Sequence, residues 1–150
     1  MRVLFVEDSR AMIVDLVDAI QRDEPEWELD FAHDIPSAWE HLCSHKYDAL
    51  IVDVMLPAWP HVPARSEAIY LVKWLRSPDG KHGVAQPPRG TVRPANTKAK
   101  VIFLTSRTVN GAVTELEQLG LGGLPVIGRL EMDEIEVFKE LKKILKPTAG

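Results

Sequence analysis

The sequence predicts an α/β fold built on a parallel sheet, and three observations support it. Short apolar runs alternate with amphipathic stretches along the whole chain. Three of those runs, residues 3–6, 49–52 and 101–104, are apolar throughout instead of alternating apolar with polar. Each of the three breaks at polar side chains: Glu7-Asp8-Ser9, Asp53 and Thr105-Ser106. Uniformly apolar strands are those buried on both faces, and strands alternating with helices imply right-handed βαβ crossovers with helices covering both sides of the sheet.

The elements follow in order. After the first strand, Ser9 can cap a helix reaching about Gln21, with Ile13, Leu16, Val17 and Ile20 at helical spacing. Residues 27–31 form an edge strand, polar enough to be half exposed, and 35–45 a helix with Ala38, Trp39 and Leu42 inward. The strand ending at Asp53 comes next, then a helix over 67–76 that is apolar at Ala68, Ile69, Leu71, Val72 and Leu75. The strand ending at Thr105 precedes a helix over 110–119. A last strand, 124–127, leads into an amphipathic helix over 133–146 with Ile135, Phe138, Leu141 and Leu145 on one face. No internal repeat is visible.

Composition narrows the class. At 150 residues the chain suits one domain, and 45% hydrophobic with 27% charged residues is ordinary for a globular protein with its own core. The single Cys43 can form no internal disulfide and fits a reducing compartment. No apolar run approaches the roughly 20 residues a bilayer requires. The N-terminus enters a strand and then acidic residues, unlike a signal peptide. A cytoplasmic protein without membrane contact is expected. Charge is unevenly spread. Residues 77–100 hold Lys81, Arg89, Arg93, Lys98 and Lys100 against Asp79 alone, leaving 13 basic and 21 acidic residues elsewhere, a balance of −8.

The strand ends carry the chemistry. Ligands of open parallel sheets collect outside the carboxyl ends of the strands. Carboxylates gathered there repel one another unless a cation joins them, and a few oxygen ligands favour Mg²⁺, which keeps several waters and leaves room for a phosphoryl group. The pattern points to a metal-assisted phosphoryl-acceptor site centred on Asp53. A solvated strand end or helix cap would explain any one of Glu7, Asp8 and Asp53, but explains all three together poorly.

A strand ending in Glu-Asp, a strand ending in Asp53-Val-Met-Leu-Pro57 and a strand ending in Thr-Ser, in this order, resemble the receiver domain of two-component response regulators. The resemblance spans nearly the whole chain. It implies a flavodoxin-like, doubly wound five-stranded parallel sheet in the order 2-1-3-4-5 with helices on both faces. It further implies Asp53 as phosphoacceptor and Mg²⁺ held by Glu7, Asp8, Asp53 and the Met55 backbone carbonyl. Thr105 and Ser106 would act at the phosphoryl group, Thr105 as its hydrogen-bonding switch. The implied donor is a sensor histidine kinase or phosphotransfer protein, and the implied output a downstream protein target. Contacts, including pairing of two copies, would fall on the face made by the fourth helix, fifth strand and fifth helix. Activity would be limited to self-phosphorylation from a donor and autodephosphorylation.

Departures from the pattern matter equally. The Lys expected at the end of the fifth strand falls on Gly128, its following Pro on Arg129, and the aromatic switch residue on Pro125. No Lys lies between Lys100 and Lys139, so Arg129 or Arg107 is the candidate replacement cation. An Arg is longer and forked, and is no simple equivalent of Lys. The alternative is a pseudo-receiver, a phosphorylation-independent interaction module. Two insertions also stand out, at about 57–66 and 77–99. The second reads either as a solvated, partly disordered loop or as a basic docking surface for an acidic partner. No helix-turn-helix or other reading element follows, which argues against nucleic acid.

Other readings fit less well. A haloacid-dehalogenase-like phosphatase needs a second Asp where Met55 stands. The first strand is followed by Glu-Asp-Ser-Arg where a dinucleotide fold needs G-x-G-x-x-G, and no Walker-type loop exists. His41 and His45 could in principle hold a metal with Cys43, although Cys43 points off their face and a solvated helix surface is the simpler reading. Tyr70 and Trp74 either pack beneath the long loops or form a partner patch.

Overall fold

The computed structural model describes residues 1–7, 14–54, 68–76, 87–105, 109–118, 120–129 and 132–145. Among them are strands β1 (Arg2–Val6), β2 (Glu28–Ala32), β3 (Ala49–Asp53), β4 (Lys100–Thr105) and β5 (Val126–Gly128). The helices are α1 (Val14–Asp23), α2 (Ile35–Ser44), α3 (Ala68–Arg76), α4 (Val109–Gln118) and α5 (Glu134–Leu145), and a 3-10 turn at Pro94–Lys98 precedes β4. The strands form one sheet in the order β2-β1-β3-β4-β5, every pair parallel. This is the expected flavodoxin-like order. The Ser9 cap, Ile13, Met55, insertion 57–66 and the first half of insertion 77–99 lie outside the described residues.

Side chains of the central strands alternate between two cores, as the two-residue period of a strand requires. Leu4, Val6, Leu50, Val52, Val101 and Phe103 pack with α2 and α3 through Ile35, Ala38, Leu42, Ile69, Val72 and Leu75, and with Leu116 of α4. Val3, Phe5, Ala49, Ile51, Ile102 and Leu104 pack with Leu16 and Ile20 of α1 and with Val137, Phe138, Leu141 and Leu145 of α5. Burial on both faces is what the uniformly apolar runs encode.

Local signals set most boundaries. Asp34 caps α2: its Oδ1 accepts from Ser37 N at 2.8 Å while Ser37 Oγ accepts from the Asp34 backbone N–H, a reciprocal capping box with Pro36 in the first turn. β5 begins two residues later than expected, because Pro125 has no N–H to give; its carbonyl still accepts from Phe103 N at 2.9 Å. Ile135, expected inward, is 60% exposed. The buried stripe of α5 runs through Val137, Phe138, Leu141 and Leu145, and Ile135 lies about 200° around the helix from Val137.

Residues 87–99 are anchored through the buried Val92, Asn96 and Ala99, while Arg89, Gly90, Thr91, Arg93, Pro94, Ala95 and Lys98 are exposed as the solvated reading expects. Asn96 is fully buried and saturated. Its Oδ1 accepts from Tyr47 N at 2.7 Å, and its Nδ2 donates to Leu42 O at 2.8 Å and His45 O at 2.7 Å. Arg76, ending α3, donates to the carbonyls of Thr97 and Ala99. Val92 joins the core beside Trp74, and Arg93 N donates to Leu42 O at 3.0 Å. Gly90 has φ +113°, a conformation that favours glycine, and a Cβ there would also crowd Cys43 Sγ at 3.1 Å. Trp74 is buried, with its ring edge-on to Trp39 at 6.0 Å, while Tyr70 packs half-buried at the margin of the same core. That favours the packing role for this pair.

A second polar cluster joins β1, β2 and the start of β3. The buried Tyr47 hydroxyl donates to Asp30 Oδ2 at 2.6 Å, and Arg2 donates to the same oxygen through Nε at 3.0 Å and Nη2 at 2.8 Å. Burial pushes the Tyr47 phenol well above its ordinary pKa, and the bond to Asp30 adds to this. Burial alone would raise the Asp30 pKa, but the hydrogen bonds from Tyr47 and Arg2 outweigh it and hold the carboxyl below its ordinary value.

Two measurements check these contacts. Asn96→Ala leaves Tyr47 N and two carbonyls to find new partners and should cost about 3 kcal/mol, read as a lower urea midpoint at unchanged slope. Because the Asp30 pKa is lower folded than unfolded, its contribution is present above the ordinary carboxylate pKa of about 4 and fades as pH falls below it. The stability of Asp30→Asn should therefore change less than that of the parent between pH 5 and pH 2 in denaturant titrations.

Candidate functional site

The C-terminal ends of β1, β3, β4 and β5 carry Glu7, Asp53, Thr105 and Arg129 among the polar residues singled out in the sequence. Glu7 follows β1 directly and continues its ladder, its N–H donating to Ala32 O at 2.9 Å. It is only 6% exposed despite its charge. Asp53 is the last residue of β3, half-buried and level with Leu104 of β4. Val54 is fully buried immediately after it, with its N–H on Leu104 O at 3.0 Å, so the chain leaves the sheet in a fixed direction past Asp53. Thr105 ends β4 fully buried and stands level with Gly128 of β5.

Arg129 connects these ends. Its backbone N–H donates to Thr105 O at 2.8 Å, extending the β4–β5 ladder by one residue. Its guanidinium Nη1 lies 3.2 Å from Glu7 Oε2, with side chains 13% and 5% exposed. β1 and β5 are not neighbours: β3 and β4 run between them. The ion pair therefore spans the ends of the two strands that carry Asp53 and Thr105. The crevice at the β1/β3 switch point, where the strand order reverses, is where ligands of doubly wound sheets bind.

Gly128 stands where the start of α4 comes close to the end of β5. A Cβ at that position would lie 2.7 Å from Val109 Cγ2 at the start of α4, closer than real side chains approach. A side chain at Gly128 would first have to displace the Val109 methyl, and the guanidinium at this rim comes from the next residue, Arg129. Of the two candidate replacement cations, Arg129 is placed at the site; Arg107 lies outside the described residues, as do Asp8, Met55 and Ser106. Sequence reasoning had offered Arg129 as the cation and Glu7 as a metal ligand, but had not joined them. Their pairing is legible only once strand order is known, since 122 positions separate them.

Chemically, the site offers hard oxygen donors in Glu7 and Asp53, a buried hydroxyl in Thr105 and one guanidinium. Oxygen-only donors suit a hard divalent cation. Among the described residues no group of three His, Cys, Asp or Glu side chains stands close enough to hold a metal ion. Glu7 and Asp53 supply two oxygen donors of the type such an ion takes.

Comparison with solved structures identifies the fold. The chain has the fold of response-regulator receiver domains. Chemotaxis response regulator CheY4 of Vibrio cholerae matches with a TM-score of 0.66 at 17% identity, over 95% of this chain and 97% of its own. A response regulator from Thermotoga maritima matches at 0.65 and 18% identity, over 97% and 98% of the two chains. The signal receiver domain of the DNA-binding response regulator merR from Colwellia psychrerythraea 34H matches at 0.67 and 16%, over 98% and 99%. No family model and no curated protein matches the chain by sequence. Among the described residues no helix is long and apolar enough to cross a membrane.

The Glu7–Arg129 pair makes a direct prediction. Arg129→Met strands a nearly buried carboxylate and should cost roughly 3 kcal/mol, whereas Glu7→Gln/Arg129→Met together should recover much of the loss. A double-mutant cycle by chemical denaturation measures the coupling. Additive single effects would show that the pair does not operate in solution.

Proposed function

We propose that the chain is a response-regulator receiver that accepts a phosphoryl group on Asp53 and signals through protein contacts. The observation that carries this reading is the placement of Asp53 at the end of β3, with buried Thr105 beside it on β4 and the Glu7–Arg129 pair spanning both strand ends.

In this reading an Asp53 carboxylate oxygen attacks the phosphorus of a phosphohistidine on a sensor kinase or phosphotransfer protein, or of a small acyl phosphate. The bond from phosphorus to the donor breaks: a phosphohistidine releases its imidazole, which takes up a proton, and an acyl phosphate releases a carboxylate. Asp53, Asp8 and the Met55 carbonyl would hold Mg²⁺, with Glu7 beside them; the ion supplies charge neutralisation for attacking and leaving groups. Arg129 exchanges Glu7 for a phosphoryl oxygen, and its forked guanidinium can engage two oxygens where a Lys engages one. Thr105 donates its hydroxyl to a third oxygen, drawing the β4–α4 connection inward and biasing a two-state equilibrium. Val109 and Ile135, 39% and 60% exposed at the starts of α4 and α5, place apolar contact area beside β5 for a downstream protein or a second copy.

A second reading has its own support. Gly128 is closed by Val109, Pro125 stands where an aromatic switch is expected, and the one described cation at the strand ends is already paired with Glu7. These features suit a pseudo-receiver that binds partners without phosphorylation.

Incubation with Mg²⁺ and acetyl phosphate, followed by intact mass spectrometry, separates the two. One phosphoryl adduct on the parent and none on Asp53→Ala is the expected result, with Arg129→Ala lowering the yield or lifetime of the adduct. An unmodified parent that nevertheless binds Mg²⁺ would establish the pseudo-receiver.

A further inference from the structure

At the opposite end of the sheet, the C-terminal turn of α2 carries a cluster that the phosphoacceptor site does not use. His41, His45 and Tyr47 form a triangle of rings with centroids 6.2, 6.5 and 6.4 Å apart. The two histidines line an open cleft of about 220 Å³ together with Ser37, Glu40 and Ser44.

The hydrogen-bond chain behind His41 fixes its tautomer. Asp30 accepts from Arg2 twice and from Tyr47, and its carboxyl is held in the ionised form, so it can only accept. The single Tyr47 hydroxyl hydrogen is therefore committed to Asp30 at 2.6 Å. Towards His41 Nδ1, 3.1 Å away, the Tyr47 oxygen can only accept, and Nδ1 must carry the hydrogen. In the neutral ring this leaves the Nε2 lone pair without an internal partner among the described residues. A carboxylate-backed donor chain that fixes the tautomer and orientation of an imidazole is the usual support of a metal-ligating histidine.

The remaining groups define the ion. Cys43, between the two histidines in sequence, lies off the cleft with its Sγ beside Gly90, and contributes no thiolate. No third ligating side chain closes the set among the described residues. Two imidazoles with water suit a borderline divalent transition-metal ion and offer nothing to Mg²⁺, which demands oxygen. We propose that His41, through Nε2, and His45 form a binding site for a divalent ion of the nickel, copper and zinc class, with Tyr47 as the positioning residue. The site is independent of any chemistry at Asp53.

The test is calorimetric titration of the full chain with Ni²⁺ in the presence of excess Mg²⁺. One ion should bind, with His41→Ala and His45→Ala each weakening affinity at least tenfold. Tyr47→Phe, which removes the acceptor at Nδ1, should weaken it by roughly tenfold. His33→Ala, His61→Ala, His82→Ala and Asp53→Ala should leave it unchanged. On the unsubstituted chain, long-range ¹H–¹⁵N spectra should show His41 as the Nδ1–H tautomer, and Ni²⁺ should broaden the His41 and His45 imidazole signals first. No Ni²⁺ binding, affinity unaltered in His41→Ala, or an Nε2–H tautomer would each overturn the assignment. Loss of binding in the His61 or His82 variant would do the same.

Discussion

Burial of the sheet on both faces governs the remaining structure. With helices over both surfaces, the middle strands present only apolar side chains between their ends, and every polar requirement is displaced to the two rims. At the carboxyl rim the requirement is met by Glu7, Asp53, Thr105 and Arg129. At the amino rim it is met by Asn96 and Arg76 on loop carbonyls and by Asp48, whose Oδ2 accepts from Arg2 N at 2.8 Å. The rims differ in kind. At the amino rim Asn96 and Arg76 are matched by backbone groups, and Arg2, Asp30 and Tyr47 by one another. The carboxyl rim gathers charge.

At the carboxyl rim a close packing contact and an ion pair lie side by side. A Cβ at Gly128 would lie 2.7 Å from Val109 Cγ2, so a side chain at the end of β5 would have to displace that methyl. The next residue, Arg129, carries the guanidinium that reaches Glu7 across the ends of β3 and β4. Glu7 holds that reach in place. The guanidinium and the carboxylate lower each other's cost of burial, so a rim rich in acids keeps its shape.

Much of this was legible in the sequence. Uniform apolar runs marked β1, β3 and β4, and polar residues at their ends marked the rim, because strand burial and strand termination are local properties. Asp34 and Ser37 fixed the start of α2 in the same way. Features resting on distant contacts were not legible. Ile135 carried the right residue type but the wrong angle, which only the docked position of α5 reveals. Asn96 sits in a basic stretch rich in Pro and Gly, the composition of a solvated loop, and nothing near it announces three buried partners. Glu7 and Arg129 were each noticed alone, since their meeting depends on strand order.

The Asn96 amide also acts as a gauge of alignment. It sits four residues before β4 and reaches groups at the end of α2 and the start of β3, up to 54 positions back. A one-residue slip of β4 against β3 would invert the inward and outward sides of the strand. It would also draw the amide out of its socket, leaving a donor–acceptor pair and three backbone groups unmatched in an apolar setting. Misalignment thus carries a polar penalty in addition to the apolar one. The inserted segment, which reads as ornament, helps the central strands find a single alignment.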